Sequence, residues 1–132
     1  MEDPLDQADA IYREHILDHY SHPHNRGRLT NSTLHFRELN PLCGDEIELF
    51  VHLRDGQVDE IKWEGKGCAI SQAAASMLSD ELLAKTVPEL RALKTQDVLQ
   101  LLAIPIGPVR LKCANLPLRT LQLALQQYEG SQ

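Results

Sequence analysis

The segment from Glu46 to Leu53 constrains this chain more than any other. Ile47, Leu49, Val51 and Leu53 alternate with Glu46, Glu48, Phe50 and His52, the period-two pattern of a strand with one covered face. Asp55-Gly56 follows, and then Val58, Ile61 and Trp63. A two-residue turn of that kind between apolar runs is a hairpin signal. Upstream, Leu34, Phe36 and Leu39 add a third extended run. The pattern predicts a three-stranded antiparallel sheet with one face buried.

After Cys68 the period changes. Ala69, Ile70, Ala73, Ala74, Met77, Leu78 and Leu82 keep helical spacing, with no proline before Pro88; this predicts a long helix. Residues 87–93 and 95–103 read as two shorter helices, with Thr95 as the cap of the second. Pro105-Ile106-Gly107-Pro108 reads as a break. A last helix is expected from Leu116 to Tyr128, capped by Asn115, with Leu118, Leu121 and Leu125 on one face. At the other end of the chain, residues 8–20 read as a helix with Ile11, Ile16 and the rings of Tyr12 and Tyr20 on its apolar side. Residues 21–33 read as a loop. Strands precede helices, so the expected class is α+β, a three-stranded antiparallel sheet with helices packed on it. No repeat or low-complexity segment interrupts the 132 residues, and one domain spanning 1–132 is expected.

Composition narrows the function. The net charge is −6 and the pI near 5.4. The nearest approach to a basic stripe is Arg26-Gly27-Arg28, too short for a nucleic-acid footprint. Met1-Glu2-Asp3-Pro4 lacks the basic start and apolar run of a secretory signal, and no stretch approaches the ~18 apolar residues of a membrane span. A cytoplasmic chain without membrane or nucleic-acid partners is expected. In that compartment thiols stay reduced, and cysteines bind metal or react more often than they pair.

There are three cysteines, Cys43, Cys68 and Cys113. Each is expected at a junction between elements: Cys43 in the turn before a strand, Cys68 where the third strand meets the long helix, Cys113 just before the last helix. Loops at the ends of rigid elements aim side chains at shared points. The helix start offers Cys68 free amides and partial positive charge, and Lys112 stands beside Cys113. Gly44, Gly65 and Gly67 permit close backbone approach. Asp45, two residues from Cys43, points to the same side of an extended segment and adds a hard oxygen donor. Three sulfurs and a carboxylate suit tetrahedral zinc, or an iron–sulfur cluster with one non-sulfur ligand. Spacing alone leaves a second reading open. There is no C-x-x-C pair, and free cysteines are common core residues.

The motifs around these cysteines carry a resemblance. Ile11-Tyr12-Arg13-Glu14-His15-Ile16-Leu17-Asp18-His19-Tyr20 is followed by His22-Pro23-His24-Asn25-Arg26-Gly27. Next come Asn40-Pro41-Leu42-Cys43-Gly44-Asp45, then Gly65-Lys66-Gly67-Cys68-Ala69-Ile70-Ser71 with Ala75-Ser76, and finally Arg110-Leu111-Lys112-Cys113-Ala114. In this order they resemble the IscU/SufU/NifU N-terminal family of iron–sulfur cluster assembly proteins, from about Ile11 to about Leu125. The resemblance implies the SufE/NifU-like fold and makes Cys43, Asp45, Cys68 and Cys113 the site residues. They would hold zinc, iron or a nascent [2Fe–2S] cluster, or receive sulfane sulfur from a cysteine desulfurase partner. Lys112 stands where the scaffold branch carries a His, as in the zinc-binding SufU branch. The insertion usual in SufU-like chains between the second and third cysteines is missing, as in IscU. Ile106-Gly107-Pro108-Val109-Arg110 only partly matches the scaffold branch's chaperone motif.

Three functions follow. The first is a zinc-holding sulfur acceptor with Cys43 as nucleophile and Lys112 in support. The second is a scaffold that builds a [2Fe–2S] cluster and hands it to target proteins. The third is a closed structural zinc site that does no chemistry. His15, His19, His22 and His24 form a cluster more readily explained by loop caps and solvated faces than by metal ligation. Trp63 reads as sheet core.

Overall fold

The computed structural model describes residues 10–41 and 44–130. Helix α1 (Ala10–Ser21) precedes strands β1 (Leu34–Asn40), β2 (Asp45–Arg54) and β3 (Gln57–Lys66). Helices α2 (Ala69–Leu82), α3 (Val87–Arg91), α4 (Thr95–Leu102) and α5 (Pro108–Gly130) follow. The sheet order is β1-β2-β3 with both pairings antiparallel, as the alternation and the Asp55-Gly56 turn require. Ile47, Leu49 and Val51 join Val58, Ile61 and Trp63 on the covered face, and all six are buried. Trp63 is fully buried and its indole N–H donates to the carbonyl of His24 at 2.8 Å. Phe50 lies on the other face yet is buried, under the Arg28 guanidinium and the His35 ring.

Helix α2 is the centre of the helical layer. Every residue from Ile70 to Ser79 is buried, and its run of alanines and serines lets α1, α5 and β3 approach closely. It ends at Leu83, and Ala84 takes a left-handed φ of 68°. Helix α3 begins with a reciprocal cap: the Glu89 amide donates to Thr86 Oγ1, and the Thr86 amide donates to Glu89 Oε1.

Three sequence expectations change. Helix α5 starts at Pro108, not Leu116. Pro108 acts as a first-turn proline, where its missing N–H costs nothing, and Pro117 lies inside the helix. Cys113 and Asn115 are therefore helical, and Asn115 is no cap: its Oδ1 accepts from the Thr95 hydroxyl at 2.9 Å. Thr95 is likewise the first residue of α4 rather than its cap. Asp97 accepts instead from the amide of Lys94 at 2.7 Å. In α1, Ile16 is buried while Ile11, Tyr12 and Tyr20 are exposed. Five residues at about 100° each place Ile11 some 140° around the helix from Ile16, and His19 takes the inward position instead.

Candidate metal and sulfur site

The end of the sheet near the β1–β2 connection positions the site. Asn40 pairs with Asp45 across β1 and β2, and Glu46 pairs with Lys66 across β2 and β3. Asp45 therefore opens β2 beside the point where β3 leaves the sheet. Gly67 makes that exit with φ of 145°, a region reserved for glycine. Cys68 then caps α2 with extended backbone and no side-chain capping bond of its own. Its amide donates instead to Asp45 Oδ1 at 2.9 Å, and its Sγ lies 3.7 Å from Asp45 Oδ2. The helix N-terminus thus presents its first amide to the carboxylate, not to the thiol.

Cys113 reaches the same point from α5. One ligand atom from each of Asp45, Cys68 and Cys113 lies within 4.8 Å of the other two. Asp45 is 1% and Cys113 2% exposed, and Cys68 is half-buried. A buried carboxylate beside two thiols is costly unless charge or hydrogen bonds compensate it. The donor set, two sulfurs and an oxygen, fits zinc or another thiophilic metal. Cys68 is a free thiol.

Cys43, the expected nucleophile and ligand, falls outside the described residues. Its neighbours Pro41 and Gly44 are exposed, and Gly44 has φ of 74°. Lys112 is exposed and lines an open groove beside the site with Asn40, Pro41, Asn115 and Arg119. Its ammonium has no lone pair to offer a metal. Val109, in the first turn of α5, is exposed as well.

Sequence reasoning passed over the shell behind Cys68. Ser71 is fully buried; its hydroxyl donates to the Cys68 carbonyl at 3.1 Å and lies 3.9 Å from the sulfur. Gln72 Nε2 donates to Ser71 Oγ at 3.3 Å. Polar residues at buried positions of a helix that otherwise reads apolar were the available signal.

The histidines are not simply solvated. His15, His19 and His24 form a row, with ring centroids 4.7 and 4.4 Å apart. His19 is buried and its Nδ1 meets Ser76 Oγ at 2.7 Å, while His24 Nδ1 meets Asp80 Oδ2 at 2.6 Å. Burial first, and then the neighbouring His24 and His15, hold the His19 imidazole below its ordinary pKa. The row docks α1 and the following loop onto α2, and His22 stands apart beside Asp18.

Comparison with known proteins shows the family and the fold. The family model described as NifU-like N terminal domain matches residues 11–132. The zinc-dependent sulfurtransferase SufU of Bacillus subtilis is 32% identical, over 92% of this chain and 94% of that protein. The iron–sulfur cluster assembly scaffold protein IscU of Thermotoga maritima is 34% identical, over 89% and 94%. A crystal structure of a candidate SUF-system assembly scaffold from Fervidobacterium islandicum superposes with a TM-score of 0.74 at 26% identity, over 85% of this chain and 94% of that one. A NifU-like N-terminal structure from Brucella abortus shares the fold, with a TM-score of 0.78 over 98% of this chain and 100% of that one at 22% identity. With a family match running from the start of α1 through α5, and relatives aligned over nearly their whole length, this chain belongs to the NifU-like N-terminal domain family, the iron–sulfur cluster assembly family of SufU and IscU.

Proposed function

We propose that this protein is a sulfur acceptor in iron–sulfur cluster assembly, taking sulfane sulfur from a cysteine desulfurase at a zinc site made by Cys43, Asp45, Cys68 and Cys113. The observation that carries the reading is the convergence of Asp45, Cys68 and Cys113 from three separate elements. Zinc in that set would keep its thiol ligands deprotonated at neutral pH, the form that attacks sulfur. Cys43 is the acceptor, because the connection that bears it is flanked by exposed Pro41 and Gly44. Its thiolate attacks the outer sulfur of the donor's persulfide. A new S–S bond forms on Cys43, the donor's S–S bond breaks, and the electron pair leaves with the donor's thiolate. Asp45, fixed by the Cys68 amide, stays in place while Cys43 moves. The exposed Lys112 leaves Asp45 as the fourth ligand and puts a positive charge beside the site. The 32% identical relative named a zinc-dependent sulfurtransferase supports the same choice. The test is zinc content together with transfer of labelled sulfur from a desulfurase. Full transfer by Cys43→Ala would remove Cys43 from the role.

A second reading rests on a different observation. Only the short helices α3 and α4 separate α2 from α5, and a 34% identical relative is named as a scaffold. Under it the same four residues carry a [2Fe–2S] cluster as cargo for target proteins. Anaerobic reconstitution followed by visible absorption separates the two. Zinc retention with no cluster band supports the acceptor, and a stable band supports the scaffold.

A further inference from the structure

A second group of ligand-type side chains lies on the outer face of the sheet, far from the cysteines. A β-bulge between His52 and Leu53 creates it. His52 pairs with Glu60 while Leu53 pairs with Val58, so Asp59 is the extra residue. Val58 and Ile61 both face the core, and Asp59 and Glu60 between them both face outward. A regular strand would have sent one of the two inward. The bulge therefore sets two adjacent carboxylates opposite one imidazole. One ligand atom from each of His52, Asp59 and Glu60 lies within 4.8 Å of the others, and His52 Nδ1 meets Asp59 Oδ1 at 2.5 Å.

The charges around this group differ from those on the rest of the face. Glu46 pairs with Arg37 and Lys66, Glu48 with Arg28 and His35, and Glu64 with Arg28. Among the described residues, neither Asp59 nor Glu60 forms an ion pair with a lysine or arginine. Within the group the His52–Asp59 contact ties together two side chains at 27% and 33% exposure, and Glu60 is exposed beside them. An imidazole and two carboxylates, preset by backbone geometry and without a protein cation, form the donor set of a nitrogen- and oxygen-liganded divalent ion.

We propose that His52, Asp59 and Glu60 bind a divalent first-row transition ion, with water completing its coordination. The donors suit Mn2+, Fe2+ and Zn2+ rather than a thiophilic monovalent ion. Seven residue steps along β2 lead from Asp45 to His52, about 23 Å at about 3.3 Å per residue. The site is thus independent of the thiolates and of their proposed chemistry.

Mn2+ is the probe, because it favours oxygen and nitrogen over sulfur and its paramagnetism maps where it sits. The full chain, labelled with 15N, is titrated with Mn2+ and its amide signals are followed. Selective broadening is expected at residues 51–53 and 58–61. Both His52→Ala and the shape-conserving pair Asp59→Asn with Glu60→Gln should weaken binding by at least about tenfold, the scale of losing a metal-supporting group, with the rest of each spectrum unchanged. Broadening spread over all acidic surfaces, broadening confined to Cys68 and Cys113, or titrations identical in wild type and both variants would each overturn the proposal.

Discussion

Gly67→Ala probes the link between backbone and site most directly. Gly67 has φ of 145°, and a Cβ there would collide with Asp45 Oδ1 and stand 2.9 Å from Ser71 Oγ. The substitution carries two costs. Holding a non-glycine residue in that backbone region costs about 1–3 kcal/mol. Displacing the buried Asp45 carboxylate strips its bond from the half-buried Cys68 amide, leaving polar groups unpaired at about 1–3 kcal/mol. Together they predict a loss of roughly 2–6 kcal/mol, against the ~5–15 kcal/mol total of an ordinary domain. Gly44→Ala is the matched comparison. It also has positive φ, 74°, but nothing within 4 Å of the added carbon, so it bears only backbone strain, about 1–2 kcal/mol. Urea denaturation with a chelator present measures both changes without metal linkage, and zinc content is measured on separate samples. Gly67→Ala should lose more stability than Gly44→Ala and should bind zinc poorly. Equal losses, or a Gly67→Ala protein with full zinc occupancy, would show that the Asp45–Gly67 contact does not hold the carboxylate in place.

Three shorter predictions follow from other parts of the molecule. The His19 imidazole is held below its ordinary pKa of 6.5, so the unfolded chain takes up the proton more readily. The stability contributed by neutral His19 is present above about pH 6.5 and is lost as pH falls through the folded-state value. Urea midpoints between pH 7.5 and 5.5 should therefore drop in the wild type and drop less in His19→Gln, and parallel curves would refute the link. If zinc binds only the native protein, free zinc at about a hundred times its Kd raises stability by about 2.7 kcal/mol; that increment should vanish in Asp45→Asn and Cys68→Ala, as read by melting with and without zinc. Thr86→Ala removes the cap of α3 and should cost about 1 kcal/mol in urea titrations without changing zinc content.

The sheet was legible because its signals are local. Alternation in residues 47–53 and the Asp55-Gly56 turn specify strands, hairpin and buried face without distant information. Even the bulge had a trace: Val58 and Ile61 are three apart, an odd spacing for one face of a strand. Proline caused the main error. The run Pro105-Ile106-Gly107-Pro108 looked like a boundary and the last helix was expected only from Leu116, yet Pro108 starts α5 and Pro117 sits within it. Periodicity held the correction, since Ala114, Leu118, Leu121 and Leu125 continue one helical face and all are buried. For α1 the sequence offered aromatic and aliphatic side chains, but Ser76 and His24 select His19, and that choice belongs to tertiary packing.

The candidate site was legible in its members more than in its geometry. Motifs marked Asp45, Cys68 and Cys113, while what brings them together is the registry of three elements. The pairing of Glu46 with Lys66 leaves Asp45 beside Gly67, and only a residue without Cβ lets the carboxylate reach the Cys68 amide. Moving the start of α5 back to Pro108 turns Cys113 from a loop residue into one carried by a long helix packed on β1, β2 and α2. Two of the three described donors, Asp45 and Cys113, are thereby fixed by regular structure, and Cys68 is fixed by the helix it caps. Cys43, the remaining expected donor, lies outside the described residues, between the end of β1 at Asn40 and the start of β2 at Asp45. Under the proposed function, three donors held by regular structure give a physical basis for division of labour: Asp45, Cys68 and Cys113 would preserve the pocket while Cys43 accepts the sulfur. Under that proposal, deleting Leu42 between β1 and β2 should depress sulfur acceptance far more than stability, and equal loss of both would argue against a separate acceptor role for Cys43.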